Sequence, residues 1–139
     1  MAKDKILVLA VDRDDDVGRK TKAKGPIIGR EECLKIANRL ALADPTDSDS
    51  NTIFEAIRTH DNLKKDRNVE VAVITGDGNV GIDSDEKLNK DLDKVIKKTK
   101  MKKTIVVTDG AEDEHILPII QGKLELVSIN HVVVKQSEN

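Results

Sequence analysis

The segment Ile6-Leu7-Val8-Leu9-Ala10-Val11 is an unbroken aliphatic run that ends abruptly in Asp12, Asp14, Asp15 and Asp16. A short run without polar alternation predicts a strand buried on both faces, as the interior of a parallel sheet requires. It is far shorter than the roughly 20 residues that span a bilayer core, and the residues before it give no signal-peptide pattern. The same signature recurs at residues 69–75, 104–108 and 128–135. Between these segments apolar side chains fall at helical spacing: Cys33, Ile36, Ala37, Leu40 and Ala41, then Ile53, Ala56, Ile57, His60 and Leu63, then Leu88, Leu92, Val95, Ile96 and Thr99. A fourth helix is expected at 113–121, weakened by Pro118. Asp47 or Ser48 should cap the second helix, and Asp83 or Ser84, with Glu86 completing a capping box, the third.

Strands alternating with helices predict an α/β fold. The expectation is a three-layer, Rossmann-like (flavodoxin-like) domain with helices on both faces of a four-stranded parallel sheet, in the order 2-1-3-4. Residues 1–139 then form one soluble domain, and its 139 residues suffice to bury a core without a staple. The single cysteine, Cys33, has no disulfide or zinc partner and reads as a small buried side chain. The net charge of −2 removes the bulk attraction of a general nucleic-acid binder, although a local basic patch is compatible with it. Aromatic content is 1%, all of it Phe54, so stacking platforms are absent and no nucleic-acid partner is expected.

In the order 2-1-3-4 the first and third strands are neighbours whose connections diverge, and such sheets bind ligands in the crevice at that point. Asp12 and Asp14 follow one of these strands and Asp109 and Asp113 the other. Crowded carboxylates call for protonation or a bridging cation, which makes these four the candidate metal ligands and Mg2+ the candidate cofactor. The alternative is that acids occupy first turns of helices because the dipole favours them there. Residues 12–30 form a long connection in which Arg13, Lys24, Gly25, Gly29 and Arg30 could present cations and N–H groups to a phosphate-bearing small molecule. A solvated basic loop balancing the aspartates is the competing description.

Thr75 and Gly76 complete the candidate ligand site at the end of another strand. Gly76, Gly78 and Gly81 fit a GxGxxG spacing, but after the second strand rather than the first, so a turn explains them equally well. Asp12-x-Asp14, Thr75, Lys87 or Lys90, and Asp109-xxx-Asp113 resemble the four motifs of haloacid-dehalogenase-type phosphohydrolases. The departures are Asp16, where that family has Thr or Val, and the lack of a strand between the Thr and acidic motifs. Of the histidines, His115 is nearest the expected crevice, and a surface or capping role suits it best.

Longer phrases resemble an archaeal family, domain of unknown function three-seven-three. They are residues 11–18, 24–31, 41–49, 108–114 and 132–137, beginning at Val11, Lys24, Ala41, Thr108 and Val132. The resemblance implies an archaeal source and full-length relatives that continue into a multi-helix membrane region. This chain would then be their N-terminal soluble domain on the cytoplasmic side. It transfers no catalytic residue. The leading functional expectation is a ligand-binding or regulatory domain that recognises a phosphate-bearing small molecule with Mg2+. The alternatives are an Mg2+-dependent phosphoesterase or phosphoryl-transfer enzyme, and an assembly module that forms a homodimer without a ligand.

Overall fold

Strand β1 (Lys5–Asp12) carries the aliphatic run, and its residues Ile6 to Ala10 are buried. The computed structural model describes residues 5–133. Strand β1 pairs in parallel with β3 (Asn68–Thr75) on one side and β4 (Lys103–Thr108) on the other, so its backbone groups are satisfied within the sheet. Strand β5 (Glu125–His131) adds in parallel to β4, with a bulge opposite Thr104 and Ile105. A two-residue strand, β2 (Ile27–Ile28), lies antiparallel on the outer edge of β3 and gives the order β2-β3-β1-β4-β5.

The expected four-stranded, all-parallel sheet is therefore corrected to five strands with one antiparallel pair. Ile27 and Ile28 are too few to carry a strand period, which is why pattern reading misses them. The expected neighbours of β1 are the observed ones. Strand β5 begins before Ser128, and the predicted end of that strand at Val134 and Lys135 lies outside the described residues.

Alternation along β1 divides the core into two layers. Ile6, Val8 and Ala10 pack with Cys33, Leu40, Ile53 and Ile57 of α2 (Arg30–Ala43) and α3 (Ser48–Leu63). Leu7 and Leu9 pack with Leu88 and Leu92 of α4 (Ile82–Thr99) and with Ile116 and Ile120 of α5 (Asp113–Gln121). Pro118 is accommodated inside α5. A further helix, α1 (Asp16–Thr21), occupies part of the expected irregular connection, with Asp15 as its left-handed N-cap. No helix among the described residues is long and apolar enough to cross a membrane.

Asp47 caps α3 by accepting a hydrogen bond from the Asp49 N–H at 2.8 Å. The capping expectation for α4 is corrected. Gly81 is its N-cap at φ 128°, and Asp83 and Ser84 lie within the first turn. The buried Ser84 hydroxyl instead donates to the Arg13 carbonyl. Gly76 packs against the same carbonyl, and a Cβ there would collide with both groups.

Leu9 is fully buried, whereas Leu42 is 83% exposed. Leu9→Ala is expected to lower unfolding free energy in urea by about 2–5 kcal/mol, and Leu42→Ala to change it by less than about 0.5 kcal/mol.

Candidate functional site

The chain leaves β1 toward the layer of α1, α2 and α3, and leaves β4 toward α5, which opens a crevice at the carboxyl ends of these adjacent strands. The crevice encloses about 270 Å³. Asp14, Asp16, Asp49, Thr52, Thr108 and Asp109 supply its polar wall. Val11, Val80 and Ile116 supply an apolar one.

Four carboxylates cluster beside it, and three of them, Asp14, Asp16 and Asp49, form part of its wall. Asp12, Asp14, Asp16 and Asp49 each place an oxygen within 4.8 Å of the others. Asp12 closes β1 and is 4% exposed. Its Oδ1 accepts the Asp16 N–H at 3.0 Å and its Oδ2 the Val17 N–H at 2.9 Å, so the first turn of α1 folds around it. Asp16 begins that helix, and Asp49 comes from the first turn of α3.

The cluster is electrostatically uneven. Burial pushes the Asp12 carboxyl up to about 8 against the pull of its two N–H donors, and Asp14 adds to the rise. Burial and the hydrogen bond with Asp16 push Asp49 up to about 10. Asp16 is held below the usual range, first by that bond with Asp49 and then by Arg19 and Lys20. The opposite shifts favour the proton on Asp49 rather than on Asp16, and burial favours the neutral form of Asp12. Arg19 is the resident counter-ion, in contact with Asp16 and 3.6 Å from Asp14.

Of the expected metal ligands, the structure brings Asp12 and Asp14 together. Asp109 lines the same cavity but lies exposed, turned to accept the Ala111 N–H at 3.0 Å. Asp113 accepts from Thr108 Oγ1 at 3.0 Å and bonds His131 Nε2 at 2.7 Å, tying α5 to β5. Asp16 and Asp49 are not among the expected ligands. The Asp47-Ser48-Asp49 run reads as a cap in sequence, and its nearness to β1 emerges only when α3 returns along the sheet.

Of the expected anion-binding residues, Arg13 lines the crevice, Gly25 packs on Thr75 and Gly76 on the Arg13 backbone, whereas Lys24, Gly29 and Arg30 lie outside the crevice lining. Arg13 is buried and paired with Asp85 at 3.1 Å and Glu112 at 2.7 Å, strapping α4 to α5. Arg30 is engaged by both carboxylate oxygens of Asp61, and Lys24 is exposed. Gly29 is the N-cap of α2 at φ 98°, its N–H donating to the Val71 carbonyl. Gly25, preceding a cis proline, packs so tightly on Thr75 and Asp91 that a side chain has no room. Thr75 donates its N–H and Oγ1 to Asp91 Oδ2 at 2.9 and 3.0 Å. Lys87 reaches Thr75 Oγ1 at 3.2 Å and Asp91 Oδ1 at 2.7 Å. The Thr and Lys of the phosphohydrolase-like pattern thus meet around the buried Asp91. His115 is exposed beside Glu114, outside the cavity lining. Cys33 is buried, which raises its thiol to about 12.

Raised carboxyl pKa values make the folded state hold protons that the unfolded chain releases above about pH 4. Stability from Asp12 is therefore present below pH 4 and lost as pH rises toward its folded value of about 8. Asp16, Asp44 and Asp61 are shifted down, so their contribution is complete above the unfolded value and adds no slope beyond pH 5. Urea unfolding between pH 5 and 8 is expected to show stability falling with pH. Asp12→Asn, which keeps one of the two N–H···O bonds and cannot ionise, should remove up to about 1.4 kcal/mol per pH unit from that slope. An unchanged slope would show that Asp12 ionises normally.

A relative from Archaeoglobus fulgidus, described as an uncharacterized protein, is 48% identical over 134 residues, 96% of this chain and 39% of its own length. An uncharacterized protein of Methanocaldococcus jannaschii is 41% identical over 136 residues, 95% of this chain and 37% of its own. The chain thus spans about two-fifths of the length of these curated relatives. No solved structure matches it. The model of the family described as Domain of unknown function (DUF373) matches residues 5–139, and the chain belongs to that family.

Proposed function

We propose that the crevice is a divalent-cation site through which this domain recognises a phosphate-bearing small molecule. The observation that carries the reading is the meeting of Asp12, Asp14, Asp16 and Asp49 within 4.8 Å, with Asp14, Asp16 and Asp49 lining an open cavity. Oxygens on opposite sides of Mg2+ stand about 4.2 Å apart and those around Ca2+ about 4.8 Å, so small carboxylate movements would suit either ion. The expected pair of acidic clusters from β1 and β4 is replaced here by one from β1, α1 and α3. Asp109, Thr108 and Thr52 would line the space that the ligand enters, with the cation supplying the positive charge that Arg13 and Arg30 spend on structural ion pairs. We place the domain on the cytoplasmic side of a longer, membrane-associated protein, attached through a region outside this chain.

Cation binding would release protons from Asp12 and Asp49 and displace the Arg19 guanidinium, whose side chain is 54% exposed and can swing away. Mg2+ or Mn2+ is therefore expected to raise the melting temperature more at pH 8 than at pH 6. The gain at a hundredfold excess over Kd is about 2.7 kcal/mol. Asp14→Asn and Asp16→Asn should abolish the response and Asp113→Asn should leave it, while Arg19→Gln should tighten cation binding. Inorganic phosphate should protect further only when the cation is present. If neither ion moves the melting temperature, the aspartates are caps and ion-pair partners. Release of product from phosphoester substrates with Mn2+, lost in Asp14→Asn, would favour the enzymatic alternative.

A further inference from the structure

The connections that enter the parallel strands are rich in lysine. Lys64, Lys65 and Arg67 lie between α3 and β3, and all are exposed. Lys97, Lys98, Lys100 and Lys102 close α4 and lead into β4, and these too are exposed. Lys5 opens β1 in register with Asn68, and the two line one shallow cavity together with Lys98 and Thr99. Because the strands run parallel, these segments share one end of the molecule, the amino edge of the sheet, opposite the acidic crevice. Among the described residues, none of these side chains has an ion-pair partner, whereas Lys123 at the same end is paired with Asp93 at 2.6 Å. Asp66 is the acid within these connections; Glu125 opens β5, and Glu31, Glu32 and Glu70 share a cavity with Lys64 at the same end. The net charge of −2 thus conceals an excess of unpaired cations at this edge.

We propose that the amino edge of the sheet is a docking face for an anionic phospholipid surface. Its cations are almost all lysines, hydrated point charges that respond to a diffuse negative layer and require no bidentate geometry. Nucleic acid is the less suitable polyanion. Recognition of single strands uses aromatic stacking, and the one aromatic residue, Phe54, packs against the core. Duplex reading uses a helix or β-ribbon laid in a groove, whereas this end consists of strand entries and helix exits. Docking by this edge would leave the crevice facing away from the membrane, about 25 Å off across the length of an eight-residue strand. Lipid docking at this edge does not depend on cation binding in the crevice.

The test is co-sedimentation of the chain with vesicles of phosphatidylcholine and phosphatidylserine at about 0.1 M salt. Partitioning is expected to fall more than about tenfold when phosphatidylserine is omitted or salt is raised to about 0.5 M. Lys65→Gln, Lys98→Gln and Lys102→Gln together should lower it by more than about tenfold. Lys22→Gln, Lys24→Gln and Lys90→Gln, an equal charge change on exposed sites away from this edge, should leave it within about twofold. Melting curves of both triple variants establish that they are folded. Equal binding to pure phosphatidylcholine, or equal loss in both variants, would overturn the proposal. So would tighter association with duplex DNA or RNA at matched phosphate concentration. Salt-sensitive pelleting without vesicles would also overturn it, indicating that the basic edge of one copy meets the acidic edge of another.

Discussion

The carboxyl group of Asp12 sits at the end of a strand that is enclosed on both faces and paired on both sides. A polar group in that position needs partners, because leaving one unsatisfied costs about 1–3 kcal/mol. The N–H groups of Asp16 and Val17 meet the requirement, and they do so only if the chain turns sharply at Asp15 into α1. That turn fixes the arrangement of the neighbouring helices. Val17 is driven into the core, and Lys20 is placed to pair with Asp44 and Asp47 at the junction of α2 and α3. The start of α3 is thereby held beside α1, and Asp49 is brought to Asp16. The acidic cluster beside the crevice is thus a consequence of terminating a buried strand with an aspartate.

The sequence makes the long elements legible because their burial leaves periodic traces. Strands β1, β3 and β4 are aliphatic runs, and α2, α3 and α4 have apolar stripes wide enough to pack on a sheet. Helix α1 is hidden because it is six residues long and mostly polar, and strand β2 because two isoleucines cannot show a period. The adjacency of β1 to β4 is the one expected of a doubly wound chain, and it places Asp109 at the crevice. What that expectation cannot supply is the register of a returning helix, so Asp49 is invisible as a neighbour of Asp12. Charge pairing is equally opaque. Arg13 and Arg30 read as available cations, yet their partners Asp85, Glu112 and Asp61 lie 31 to 99 residues away in sequence.

Part of the distribution of charge has an architectural cause. Helices that connect parallel strands run antiparallel to them, so α3, α4 and α5 direct their amino ends to the crevice and their carboxyl ends to the opposite edge. Helix dipoles then favour acids at the first and lysines at the second. Asp49, Asp83, Asp85, Asp113 and Glu114 fit this account, as do Lys97 and Lys98. The dipole does not account for Asp12, which lies on a strand, is almost inaccessible and is crowded by three other carboxylates. Nor does it account for Lys102, which lies beyond the C-cap of α4 at Lys100. At both ends, the residues that exceed what the helices require are the ones on which the proposed cation and lipid sites rest.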